Sequence, residues 1–113
     1  MNENKLSHDQ IRYAILSILY KKAEANSNGW EVSKEEITKF LDIPDNKIDF
    51  NIRYLSKANL IKLEDTMDTW VWAEITSEGI NVIEHKNESK GRFSFLTAII
   101  PIQIQAKIGV INL

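Results

Sequence analysis

Residues 54–62 read YLSKANLIK, and the asparagine at 59 decides how the chain around it is folded. Leu55, Lys57 and Ala58 continue a helical pattern, whereas Leu60 onward reads as a strand, so a helix has to stop and turn at once. A helix that ends this way commonly finishes with one residue in the left-handed conformation, and Asn is the second choice after Gly. Asn59 is expected to be that residue, with Leu60 turning back onto the core.

Upstream and downstream, three helix starts carry one signature. Ser7 and Gln10 form a capping box, with Leu6 and Ile11 as the hydrophobic staple across it. Ser33 and Glu36 repeat the box, stapled by Val32 and Ile37, and Thr76 shows the staple again between Ile75 and Ile80 with Glu78 in the first turn. The first helix is expected over about 8–24, with Ile11, Ile15, Ile18 and Leu19 on one face, and is closed by the loop at 26–29. A short strand at 30–32 leads to a second helix at about 34–41, a turn at 42–45, and a third helix at about 45–58. Asp45 is a candidate cap for that third helix. Strands over 60–64 and 69–75 flank the polar segment 65–68 as a hairpin, and a last helix runs over about 77–85.

Composition bounds the possibilities. A chain of 113 residues makes one domain, able to bury roughly 60–70% of its unfolded surface. There is no cysteine, hence no disulfide, no thiolate nucleophile and no Cys-based zinc site, which fits a reducing cytoplasm. The opening MNENKLSHDQ has no apolar centre and is not expected to be a signal peptide. The net charge of −2 does not advertise nucleic-acid binding.

The order helix, short strand, helix, helix, hairpin, helix resembles a winged helix-turn-helix, an α+β fold that is mainly α. The stretch IRYLSKANLIK (52–62) is similar to the end of a recognition helix entering the wing, where many families read Leu-x-x-x-Gly-Leu-Val. AEITSEGINVIE (73–84) looks like the exit from the wing into the last helix, commonly Leu-Thr-x-x-Gly. The resemblance covers about residues 6–87 and is to winged-helix transcriptional regulators of small prokaryotic type. It implies a winged-helix domain over 1–87, followed by a linker and apolar extension over 88–113. It also implies a cytoplasmic, probe-like role for the third helix in the major groove of double-stranded DNA, with no cofactor.

At about 100° per residue, Ile48, Ile52 and Leu55 face the core, and Asn46, Asp49, Arg53 and Lys57 lie opposite with Phe50 at the border. On the resemblance, Asn46 pairs with adenine and Arg53 with guanine or a phosphate, while Lys47 and Lys57 suit phosphates. Asp49 repels phosphate and is accommodated only by accepting from cytosine. The hairpin adds little for DNA: Lys62 is its one cation, against Glu64, Asp65, Asp68 and Glu74.

Strand alternation places Val71, Ala73 and Ile75 inward and Trp70, Trp72 and Glu74 outward, leaving two indoles as an apolar patch that wants a cover. A cover exists in the sequence. Over 98–111, Ile100, Ile102, Ile104, Ala106, Ile108 and Val110 alternate with Pro101, Gln103, Gln105, Lys107 and Gly109, the period of a half-buried strand. The polar residues inside it argue against a membrane span. A C-terminal strand-like extension is therefore expected, with Ile100, Ile102, Ile104 and Ile108, together with Trp70 and Trp72, available to a partner or to a second copy in a homodimer.

Catalytic chemistry finds no support. Ser7, His8 and Asp9 are consecutive at a helix start and point apart, and capping accounts for Ser7. His8 and His85 lie in different helices without a third metal ligand, and the four glycines stand singly. Two functions remain: a DNA-binding regulator acting as a homodimer, or a winged helix used for protein–protein interaction through its acidic wing and tryptophans, with little or no DNA binding.

Overall fold

The computed structural model describes residues 5–25, 28–66 and 68–110; residues 26, 27, 67 and 111, parts of the expected loop, hairpin tip and tail, lie outside them. The chain is α+β and mainly helical. Helix α1 (His8–Ala25) is followed by β1 (Val32–Ser33), α2 (Lys34–Leu41), α3 (Asp45–Lys57), β2 (Ile61–Asp65), β3 (Trp70–Ile75) and α4 (Ser77–Glu84). A short α5 (Lys86–Ser89), a 3-10 turn (Ser94–Thr97) and α6 (Ile102–Gly109) complete it.

The helix starts form as local chemistry dictates. Gln10 N–H donates to Ser7 Oγ at 3.0 Å while Ser7 N–H donates to Gln10 Oε1 at 2.8 Å. Ser33 and Glu36 close the same reciprocal box at 3.0 and 3.1 Å. Thr76 accepts from Gly79 N–H at 3.0 Å. Asp45 does not cap α3; Pro44 occupies the cap position and Asp45 is the first helical residue. Residues 42–44 turn α2 into α3 through Asp42, which holds φ 51° and donates its N–H back to the Thr38 carbonyl at 2.9 Å.

The end of α3 follows the expectation for Asn59, whose φ is 65°. Its N–H donates to the Ser56 carbonyl, and Leu60 N–H donates to the Leu55 carbonyl, both at 3.0 Å. These two bonds satisfy carbonyls that the helix end would otherwise leave open. Leu55 and Leu60 are both fully buried.

The strands form one antiparallel sheet in the order β1-β3-β2, with Val32 opposite Ala73 and Ile61 opposite Ile75. Glu64 faces Trp72 but Asp65 faces Trp70, so Val71 is an extra residue on β3 without a partner on β2. A bulge of this kind shifts the face of everything beyond it. The expected exposure of Trp70 is therefore corrected: Trp70 is completely buried, Val71 is exposed, and Trp72 is half-buried.

The C-terminal segment is also corrected. It is not a strand: it docks as the 3-10 turn and α6 against α1 and α2. Phe93, Phe95, Leu96, Ile100, Ile104 and Ile108 join the same core as α1 and α3. On a helix, residues two apart lie about 200° around the axis. The even-numbered apolar run of α6 thus splits into Ile104 and Ile108 inside, and Ile102 and Ala106 outside; Ile100, ahead of the helix, is also buried and Val110, just past it, is exposed. Lys107 Nζ donates to the Phe40 carbonyl at 3.2 Å, and Gln10 Nε2 to the Ile99 carbonyl at 2.8 Å, fixing the segment at both ends. Among the described residues, no helix is long and apolar enough to cross a membrane.

Candidate nucleic-acid interface

Helix α3 buries Ile48, Asn51, Ile52 and Leu55. The opposite side presents Asn46, Phe50, Arg53 and Lys57, all exposed. These four recur at spacings of four, three and four residues, which makes them one stripe down the helix. Among the described residues Asn46, Arg53 and Lys57 make no side-chain hydrogen bond or ion pair within the chain, so their donors are free for an external acceptor. Phe50 is 57% exposed, far more than packing requires of a phenylalanine, and it sits in the middle of the stripe rather than at its border. Lys47 lies on the flank, half-buried.

Asp49 lies on the other flank and is committed to the fold. Its Oδ1 accepts from Trp70 Nε1 at 2.8 Å and lies 3.6 Å from Lys34 Nζ. Lys34 also donates to Thr69 Oγ1 at 2.9 Å and sits 5.6 Å from the centre of the Trp70 ring. The indole brought inward by the bulge thus finds an acceptor for its N–H, and the carboxylate finds a cation. Asp49 is a strut between α3 and β3, its Oδ1 shared between an indole N–H and a nearby cation.

Sequence reasoning missed the other support of this helix. Asn51 is the one buried polar residue among those described. Its Oδ1 accepts from Arg12 Nε at 2.8 Å, and its Nδ2 donates to the Lys47 carbonyl at 2.8 Å and approaches His8 Nδ1 at 3.0 Å. Arg12 stacks 3.7 Å above the Tyr54 ring and lies 3.7 Å from Asp9. The His8 ring is 4.9 Å from Phe50, centre to centre. Asn51 shares the core face with Ile48, Ile52 and Leu55, so a polar residue at an apolar position was the available signal. Arg12 and His8 of α1 belong to α3's foundation.

The hairpin carries its charge outward: Lys62, Glu64, Asp65 and Asp68 are exposed, and the sum is negative. Thr66 and Thr69 close its tip, Thr66 N–H donating to the Thr69 carbonyl at 2.7 Å. Of the residues expected to meet a partner, Trp70, Ile100, Ile104 and Ile108 are spent on the core; Ile102, at 72% exposure, is presented, and Trp72 only in part. Among the described residues no three His, Asp or Glu side chains converge as metal ligands.

No family model, no curated protein and no solved structure matches this chain.

Proposed function

We propose that the chain is a winged helix-turn-helix protein that binds double-stranded DNA in the cytoplasm as a transcriptional regulator, with α3 in the major groove. The observation that carries this reading is the exposed stripe Asn46, Phe50, Arg53 and Lys57, whose donors are unengaged, on a helix held from behind by Asn51 and from the side by Asp49. A rigid helix with free Asn and Arg forks is suited to base edges, and Lys to phosphates. The Lys34 ammonium 3.6 Å from Asp49 partly offsets the main electrostatic objection on α3. A planar, exposed Phe50 fits contact with a thymine methyl.

A second copy is part of the proposal. With Ile104 and Ile108 turned inward, the surface left for it is Ile102 and Val110, both exposed large apolar side chains at α6. A two-fold dimer through this patch supplies two α3 helices for a palindromic site.

One observation favours protein–protein interaction instead: an acidic hairpin beside an exposed phenylalanine. Titration of random duplex DNA at low and moderate salt separates the two. Salt-sensitive binding that weakens in Arg53→Ala and Lys57→Ala supports the DNA reading, and absence of binding at low salt favours the protein partner.

A further inference from the structure

Outside α3, a concavity lies where α1 meets the C-terminal segment. It is an open cleft of about 490 Å³, within the range of small-molecule sites. Tyr13, Ser17 and Lys21 recur every fourth residue along one side of α1 and line its wall, and Lys86, at the start of α5, completes the polar rim. Ile99 and Ile108 of the C-terminal segment supply the apolar side.

The chemistry of this lining is one-sided. Two ammonium groups border the cleft and, among the described residues, no Asp or Glu lines it, although the whole chain carries a net charge of −2. Lys86 Nζ donates to the Tyr13 hydroxyl at 2.9 Å, which orients both groups at the rim. Among the described residues Lys21 pairs only with Glu24, at 3.6 Å, whose side chain is more than half exposed. The Ser17 hydroxyl has no hydrogen bond within the chain among the described residues. Donors are thus gathered at one end and branched apolar carbon at the other.

We propose that this cleft binds a small organic anion with an apolar body, its carboxylate or phosphate held by Lys21, Lys86 and the Tyr13 and Ser17 hydroxyls, and its apolar part against Ile99 and Ile108. Charge complementarity selects the anionic head, because Lys86 has only the neutral Tyr13 hydroxyl as a partner and Lys21 only the exposed Glu24 carboxylate among the described residues. The apolar wall selects against inorganic phosphate, which buries no carbon there. The assignment is independent of the reading of α3, because none of the cleft's lining belongs to that helix.

The test uses the full chain and amide resonances followed by NMR, titrated with phenylacetate, phenyl phosphate and neutral phenylacetamide. Shifts gathered at residues 13–21, 86 and 98–109 with either anion, and clearly weaker binding of the amide, are the expected result. Lys21→Gln and Lys86→Gln each weaken the anion about two- to fivefold, as partly exposed ion pairs do, while Lys62→Gln on the hairpin leaves it unchanged. The better of the two anions identifies the head group. The proposal is overturned if neither anion moves these resonances at millimolar concentration, if the amide binds as well as the anions, or if the shifts fall elsewhere.

Discussion

Asn51 Nδ2 lies 3.0 Å from His8 Nδ1, and the roles in that bond are fixed by Asn51's other partners. The Arg12 guanidinium can only donate, so the atom it meets is the amide oxygen; the Lys47 carbonyl can only accept, so the atom it meets is the amide nitrogen. The second amide hydrogen then points at His8, whose Nδ1 must accept, with its proton on Nε2. Three hydrogen bonds, one to the amide oxygen and two from the amide nitrogen, tie this buried side chain between α1 and α3. Asn51→Ala is expected to cost about 1–3 kcal/mol, the penalty for stranding a buried donor and acceptor. His8→Ala, at an exposed ring, is expected to cost less than about 0.5 kcal/mol. Urea denaturation of the two variants checks the order, and the reverse order would remove Asn51 as the anchor of α3.

Gly79 carries a different constraint. A Cβ built there would sit on the Leu60 carbonyl oxygen and 2.7 Å from Ile75 Cγ1, in the corner where Thr76 caps α4. Gly79→Ala is therefore expected to destabilise by about 1–3 kcal/mol through overpacking. At Asn59, with φ 65°, glycine relieves the backbone, and Asn59→Gly is expected to be neutral or stabilising by up to about 1 kcal/mol. Leu55→Ala empties the core under α3 and is expected to cost about 2–5 kcal/mol. Thermal melts of the three variants give the comparison; a stabilised Gly79→Ala would mean that the corner is open.

For DNA, Arg53→Ala is expected to lose roughly 1–3 kcal/mol at a specific site, and Lys57→Ala to weaken all sequences alike and flatten the salt slope. With about six phosphate contacts, affinity drops roughly 10³-fold between 50 and 200 mM salt. Asp49→Asn serves as the internal contrast. Because Asp49 holds Trp70 and Lys34, the substitution is expected to lower stability without changing base preference. A shifted preference in Asp49→Asn, read by selection from random duplexes, would return that residue to the interface.

The Tyr20 phenol donates to Glu84 Oε2 at 2.8 Å. That bond, then burial, then the charges of Glu24 and Glu84, pushes its pKa from 10.0 up to about 12. The sign follows from which form the fold prefers. The neutral phenol is favoured, so the contribution is fully present below 10.0 and is lost as pH rises through about 12. Ultraviolet titration should find one phenol ionising late, and Tyr20→Phe should delete that step. A late step that survives in Tyr20→Phe belongs to another tyrosine.

What was legible in the sequence is what short-range chemistry decides. The boxes at Ser7 and Ser33, the Thr76 cap and the left-handed Asn59 each involve groups within a few residues, so their types and spacing suffice. The buried stripe Ile48, Ile52 and Leu55 was readable for the same reason, since the helical period is intrinsic. From that stripe the exposed positions Asn46, Arg53 and Lys57 followed by geometry. Asn51 escaped because its partners come from α1, 39 and 43 residues away in the chain.

The face of Trp70 and the form of the tail were decided only in three dimensions. Regular alternation turns Trp70 outward; a single unpaired Val71 turns it inward, and the bulge becomes favourable because Asp49 and Lys34 wait there for the indole. In the tail, apolar residues at every second position are the pattern of a strand and equally of a helix that is apolar on two opposite sides. The choice fell to the helix, with Ile104 and Ile108 packed into the core built by α1 and its neighbours and Ile102 left outside. Local sequence sets where an element begins and which conformations its backbone tolerates; which apolar face is buried depends on the surface that another part of the chain supplies.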